Sequence, residues 1–243
     1  MPIKITPQVF DVTVRNIKDL GNETRHFELF YDSGKSMDFI PGQFVSVLCP
    51  DRDGKIIRRA YSIASSPDVK DHLDLCLKLV ETGKVTPWFW SLKEGDRFQI
   101  QGPLGKFILP DEIDFDIVFV STGTGIAPFR SMIQTLLPAG FKRKVWSIFG
   151  VRYDNSIPYH EEWLELARKY PNFTYIPTIS RAGSDWKGET GYVQTKVEKY
   201  FQGTDISGKK VYICGLNLMI QAVQEACAKA GFPKEKVIFE RYD

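Results

Sequence analysis

Apolar positions follow one rhythm in the first part of the chain and another in the second. Through residues 9–101 they alternate with polar ones in short runs bounded by turn residues. Phe10, Val12 and Val14 share one parity, and His26, Glu28 and Phe30 oppose Phe27 and Leu29. Residues 44–48 follow a Pro41-Gly42 turn, Leu73, Leu75, Leu77 and Leu79 alternate with Asp74, Cys76 and Lys78, and residues 97–101 follow Glu94-Gly95-Asp96. A period of two marks half-buried strand. About six such strands at this spacing predict an antiparallel six-stranded β-barrel.

Beyond Pro110 the pattern becomes strand, helix, strand, helix. Asp116-Ile117-Val118-Phe119-Val120 is a continuous apolar run of the kind found in buried parallel strands. Residues 145–149, 173–179, 211–214 and 237–239 are the next candidates, with helical stretches near 127–137, 161–169, 192–201 and 216–230. This predicts an α/β domain with a parallel sheet, helices on both faces, and ligands at the carboxyl ends of the strands. The expected division is a first domain of residues 1–112 and a second of 113–243.

Composition narrows the class. A chain of 243 residues, 43% hydrophobic and 26% charged, has room for two ordinary globular domains. Thirty-two basic residues against 30 acidic leave +2, with no dense Lys/Arg run, which argues against a nucleic-acid partner. No apolar run approaches the ~20 residues of a membrane span. The opening stretch, broken by Pro2 and Pro7, has no signal-peptide core, so the cytoplasm is the expected compartment. Cys49, Cys76, Cys214 and Cys227 form neither C-x-x-C nor an iron–sulfur spacing, and the three histidines are not paired, so no metal site is expected. Cys49 and Cys76 read as packing residues.

Candidate chemistry gathers at five places. Arg59-Ala60-Tyr61-Ser62 lies on a strand before the turn Ser65-Ser66-Pro67. Alternation sets Arg59 and Tyr61 on one face, where an aromatic beside a guanidinium suits a flat heterocycle carrying phosphates. Alone, the tetrapeptide reads more readily as an edge strand with a solvated arginine. In Gly83-Lys84-Val85-Thr86-Pro87, Thr86 is placed as N-cap and Pro87 as first residue of a short helix, whose start attracts anions while Gly83 gives backbone access. An ordinary capped helix fits the same residues.

Ser121-Thr122-Gly123-Thr124-Gly125-Ile126-Ala127-Pro128 is a strand, a Gly-rich turn and a helix start, which lets backbone approach a pyrophosphate. It departs from G-x-G-x-x-G because Pro128 holds the third glycine position, and Lys142-Arg143-Lys144 stands where an acidic residue is expected. A structural turn is the alternative. Cys214-Gly215 with Met219 forms a second strand–Gly–helix junction, and two such junctions give a crevice for a dinucleotide into which Cys214 would point, although taken alone this is a routine strand end. Finally Arg152, Ser180, Arg181 and Lys187 follow strand ends, where they suit a monoester phosphate, or else form solvated surface.

With these residues in view, the chain resembles the ferredoxin–NADP(+) reductase family over nearly its whole length, especially the short bacterial ferredoxin/flavodoxin reductases. Residues 59–62 match the family's R-x-Y-S, which implies that Arg59 holds the FAD pyrophosphate, Tyr61 packs on the isoalloxazine and Ser62 bonds near N5. Lys84-Val85-Thr86 matches the pyrophosphate segment, and Leu77, Lys78 and Leu79 the strand beside the flavin. Gly123, Thr124, Gly125 and Pro128 match the nucleotide loop, proline included, and Cys214-Gly215 with Met219 matches C-G-x-x-x-M, whose cysteine lies against the nicotinamide. The resemblance implies an FAD-dependent monomer that exchanges hydride with NADP(H) and single electrons with ferredoxin or flavodoxin. Ser62, Cys214 and Glu240 would then stand at the reacting atoms, and Tyr242 over the flavin's second face.

Two features depart from the pattern. The short bacterial members end in E-x-Y-W, whereas here Glu240-Arg241-Tyr242 is followed by Asp243, which cannot supply an aromatic contact. Ser180-Arg181 fits the family's 2′-phosphate site, but residues 186–192 also resemble segments of NADH-using relatives, so NAD stands beside NADP as a cofactor. The rival readings are an NADH-dependent reductase component of an oxygenase, a free-flavin reductase, and a non-catalytic FAD-binding electron-transfer subunit. The last usually carries an extra cysteine cluster near its C-terminus, which this sequence lacks.

Overall fold

The computed structural model describes residues 6–51 and 53–242. The expectations stated for the first five residues and for Asp243 lie outside the described residues. The chain divides into two compact units: one runs to Leu109 and takes in Ala127–Ala139, and the other comprises Pro110–Ile126 and the chain from Gly140 onward.

The first unit is a curled antiparallel sheet of β1 (Gln8–Asp19), β2 (Thr24–Tyr31), β3 (Phe44–Pro50), β4 (Ile56–Ser62), β5 (His72–Lys78) and β6 (Arg97–Leu104), in the order β4-β3-β6-β1-β2-β5. The predicted alternation sets its interior. Val12, Val14, Phe27, Leu29, Val45, Val47, Leu73, Leu75, Leu77 and Ile100 are fully or almost fully buried. A short helix, α1 (Thr86–Ser91), adds Phe89 to this core, where it meets Phe27 edge-on at 5.2 Å.

On β5 the polar positions are buried too. Asp74 and Cys76, which point away from the leucines, are 6% and 5% exposed. The cause lies 56 residues on, in α2 (Ile126–Leu136), most of which belongs to this unit. Its Arg130 donates to the Asp74 carboxylate at 2.8 Å and to the Ala64 carbonyl at 3.0 Å, and its Thr135 hydroxyl lies 3.2 Å from that of Ser66. The second face of β5 is therefore packed under helix.

The second unit is a parallel sheet of β7 (Asp116–Thr122), β8 (Val145–Val151), β9 (Phe173–Ile179), β10 (Glu189–Thr190), β11 (Lys209–Gly215) and β12 (Val237–Arg241), in the order β10-β9-β8-β7-β11-β12. Sequence reading found every strand of this sheet but β10, which is only two residues long. α4 (Val193–Phe201) and α5 (Asn217–Lys229) cover one face, packing Val197, Phe201, Ile220 and Val223 onto Val118, Val120, Ile148 and Ile213. On the other face α3 (His160–Lys169) buries Trp163 beside Phe173 and Tyr175. The strand order reverses between β7 and β11, so connections leave in opposite directions there and the chain opens a crevice at the strands' carboxyl ends.

Candidate functional site

In the first unit the predicted residues lie along β4, the least covered strand of its sheet. Arg58, Arg59 and Ala60 are exposed, Tyr61 is half-buried and Ser62 is buried. The cause is topological. β4 and β5 end the sheet order and meet through one bridge, Ile63 to Leu75, beside which the Ala64 N–H donates to the Asp74 carbonyl at 2.8 Å. Continuing that antiparallel register would set Tyr61 opposite Leu77 and Arg59 opposite Leu79, yet no ladder pair joins them among the described residues. A seam is left between two strand edges, each with backbone polar groups to satisfy.

The side chains beside the seam suit a flat, polyanionic ligand. The Tyr61 ring meets Phe89 edge-on at 5.5 Å, and burial pushes its phenol pKa up, so it is a neutral aromatic. Arg59 is exposed, its Nη1 donating to the Arg58 carbonyl at 2.9 Å, and Lys84 is exposed at the turn before α1. Leu77 points into the core and so has only its backbone to offer; Lys78 is exposed and the Leu79 N–H is taken by Glu23 O at 2.8 Å.

The expected helix start, with Thr86 as N-cap and Pro87 as first residue, is corrected by one position. Val85, not Thr86, occupies the N-cap, and Thr86 is the first residue of α1. Its hydroxyl accepts the Val80 N–H at 2.9 Å and donates to the Val80 carbonyl at 3.1 Å, so it ties the preceding turn instead of capping the helix. Gly83 serves the same turn: its N–H bonds Val80 O at 2.8 Å, and a Cβ there would stand 3.0 Å from that oxygen. A side chain at this position would crowd the turn.

In the second unit the two strand–Gly–helix junctions fall on β7 and β11, the neighbours at which strand order reverses. Gly123 has φ +55°, and nothing lies within 4 Å of where its Cβ would be, so its backbone is open to an approaching ligand. Gly125 does a different job. A Cβ there would lie 2.3 Å from the Cys214 carbonyl oxygen, so only glycine lets the loop pass the end of β11. At Gly215 a Cβ would meet Met219 Cε at 2.4 Å and Thr122 Oγ1 at 3.0 Å, which ties the two junctions together. Thr124 is half-exposed, and Pro128 is buried in the first turn of α2, where its missing N–H costs nothing.

Cys214 pairs in register with Ser121 on one side and Glu240 on the other. Its side chain is fully buried, which raises the thiol pKa; a hydrogen bond from the Tyr242 side chain opposes that shift and the nearby Glu240 carboxylate reinforces it. The thiol stays protonated at neutral pH, so it offers a soft surface, not a nucleophile. Tyr242 is held here by its own N–H, which donates to Gly215 O at 3.3 Å.

The basic positions also converge. Ser180 N–H donates to Val151 O at 3.1 Å and Arg181 N–H to Arg152 O at 2.8 Å, lacing the loops after β9 and β8 together. Both arginines are exposed, and Arg181 Nη1 lies 3.4 Å from the Tyr153 hydroxyl. Lys187 is turned back to the Ser184 carbonyl at 3.3 Å. Sequence reading missed Tyr153 and Tyr192, exposed aromatics at this rim (37% and 65%); the signal was an aromatic directly after Arg152 and another opening α4.

Comparison with known proteins agrees with this arrangement. Residues 11–108 match the oxidoreductase FAD-binding domain model and residues 119–225 the oxidoreductase NAD-binding domain model. Ferredoxin–NADP reductase B of Sorangium cellulosum (strain So ce56) is 36% identical over 98% of this chain and 100% of its own length. The phenol 2-monooxygenase reductase component DmpP of Pseudomonas sp. (strain CF600) is 33% identical over 86% of this chain, which spans 59% of that protein. The crystal structure of the Amycolatopsis cytochrome P450 reductase GcoB superposes with a TM-score of 0.88 at 26% identity, covering 98% of this chain and 71% of that one. Fold and matches define an oxidoreductase that binds FAD and a nicotinamide dinucleotide. The chain belongs to the ferredoxin–NADP(+) reductase family. The exposed Arg59 and Lys84, the Tyr61 aromatic and the free strand edges fit the phosphates and flat ring system of FAD.

Proposed function

We propose that the chain passes electrons between NADPH and a one-electron protein carrier, ferredoxin or flavodoxin, with FAD held by residues 1–112 and the dinucleotide by residues 113–243. Bound FAD supplies the chemistry that takes up hydride from a nicotinamide and releases electrons one at a time. The residues of this chain do the holding. Arg59 and Lys84 pair with the pyrophosphate, Tyr61 and the 77–79 strand edge flank the ring, and Ser62 presents its hydroxyl from the buried end of β4. Gly123 and Thr124 bring backbone to the dinucleotide's phosphates, Gly125 lets their loop pass the end of β11, and Cys214, Gly215 and Met219 floor the nicotinamide end. Glu240, in register with Cys214, would carry the proton, and Tyr242 covers the thiol until it is displaced.

The observation that carries the NADP(H) assignment is the backbone lacing that sets Arg181 beside Arg152, two exposed guanidinium groups at the carboxyl rim. A 2′-phosphate of nearly two charges calls for such a pair. The carrier is supported by the full-length similarity to a ferredoxin–NADP reductase. A second reading, the reductase component of an oxygenase, is favoured by the similarity to DmpP.

Stopped-flow bleaching of the bound flavin by NADPH and by NADH separates the cofactors, with NADPH expected to be faster at equal low concentration. Equal rates would remove the phosphate assignment. Steady-state turnover with ferredoxin, flavodoxin and free FMN then separates the acceptors, and faster reduction of free FMN than of either protein would overturn the carrier assignment.

A further inference from the structure

Glu189 lies on β10, at the outgoing end of the loop that carries Arg181, and its carboxylate gathers three donors. It accepts from Lys196 Nζ at 2.9 Å, from the Tyr200 hydroxyl at 2.7 Å and from Lys199 Nζ. All three donors come from one side of α4, at the three- and four-residue spacing that places side chains together. The adjoining side of that helix, Val193, Val197 and Phe201, is anchored in the core. The Lys196 side chain is only 10% exposed, so its charge depends on Glu189 for compensation.

Residues 180–191 form the loop between β9 and the start of α4, and it is tied at intervals. Its incoming end is the Ser180 and Arg181 lacing. In the middle, Gly183 N–H donates to Asp154 Oδ2 at 3.3 Å, and the Trp186 indole N–H donates to the Glu189 carbonyl at 2.8 Å. Its outgoing end is β10, where Glu189 pairs with Thr178, Thr178 Oγ1 donates to Gly191 O at 2.9 Å, and Gly191 N–H bonds Ile179 O. Through the Glu189 carboxylate this chain of contacts reaches α4. Its three side-chain donors all come from α4, so the carboxylate is engaged with the scaffold.

We infer that Glu189 is a positioning residue: by clamping the outgoing end of the 180–191 loop to α4, it holds Arg181 in the orientation that selects NADPH over NADH. This rests on the reading that Arg152 and Arg181 grip the 2′-phosphate. Losing the clamp lowers the fraction of molecules whose loop is competent, and apparent affinity for the phosphorylated cofactor falls by that fraction.

The test measures KM and kcat of the FAD-loaded protein for NADPH and NADH in Glu189→Gln, with Arg181→Ala alongside. In Glu189→Gln the KM for NADPH rises about tenfold, a competent fraction of about one in ten, while kcat and the KM for NADH change less than about twofold. A general structural defect would move both cofactors together or only lower the melting temperature, and either result overturns the inference. Should Glu189→Gln fail to fold, Lys199→Met with Tyr200→Phe removes two of the three donors from exposed positions and must show the same split. If Arg181→Ala discriminates between the cofactors and the Glu189 variants do not, the positioning role alone falls. If Arg181→Ala does not discriminate, the phosphate reading falls and takes the positioning role with it.

Discussion

The pairing of Asp74 with Arg130 gives the sharpest stability test. Both side chains are close to one-tenth exposed, and the ion pair is 2.8 Å long. The other carboxylate oxygen faces His72 Nε2 at 3.4 Å and His26 Nε2 at 3.8 Å, and burial lowers the pKa of His26, so that ring does not supply a lasting second cation. Replacing Asp74 with Asn keeps the shape and removes the charge, while Arg130 cannot shed its own. Removing one partner of a buried pair costs about 3–5 kcal/mol. Because Arg130 keeps its bond to the Ala64 carbonyl, the lower end applies. At about 2–4 °C per kcal/mol for a chain of this size, about 3 kcal/mol lowers the melting temperature by roughly 6–12 °C.

The assay is flavin release on heating, read as the rise in flavin fluorescence, since the pair sits in the barrel unit. The control is Asp74→Leu with Arg130→Met, which removes both charges and should recover most of the loss, because an apolar pair of similar volume is often no worse than a buried ion pair. A shift under about 2 °C in Asp74→Asn, less than 1 kcal/mol, would refute the reasoning. So would a double variant as unstable as the single one.

Three further outcomes follow from the geometry. Gly125→Ala forces a Cβ to within 2.3 Å of the Cys214 carbonyl, so it should destabilise by at least the upper end of the about 1–3 kcal/mol of overpacking and abolish reduction by NADPH; a variant with unchanged KM would contradict this. Cys214→Ala removes the partner of Tyr242 without exposing charge, so kcat should fall while FAD content holds, and an unchanged kcat would reduce Cys214 to packing. Glu189 is held down to about 2 from an ordinary 4.5 by Lys199, Lys196 and Tyr200. A depressed folded-state pKa stabilises above 4.5 and loses that contribution as pH falls toward 2, so the melting-temperature gap between wild type and Glu189→Gln should close over that window. A gap independent of pH would mean that the charge is not what matters.

Much of this architecture was legible because it is written in periods and punctuation. The leucines of β5 announced a strand with one buried face, and the glycines flanking Thr124 announced a turn where backbone must be open. What could not be read depends on long-range partners. Nothing local to Asp74 says that its face is buried; that follows from Arg130, 56 residues away, and from a helix that packs with the barrel although its sequence lies past the expected boundary. Thr86 has the composition of an N-cap, but tertiary context gave its hydroxyl to the Val80 turn. Glu189 was invisible for the same reason: its partners are on one face of a helix that periodicity finds, but the two-residue strand that presents the carboxylate is too short to have a period.

The unsealed junction between β4 and β5 matters before any ligand arrives. A strand edge with unmet hydrogen-bonding groups is a template on which a foreign strand can anneal, and a chain fresh from the ribosome meets many. Arg58 and Arg59, both exposed on that edge, put two adjacent positive charges in the way of such self-association. The arginines that border the edge thus guard it against other polypeptides, and neutralising both should show first as lost yield of dispersed protein during synthesis.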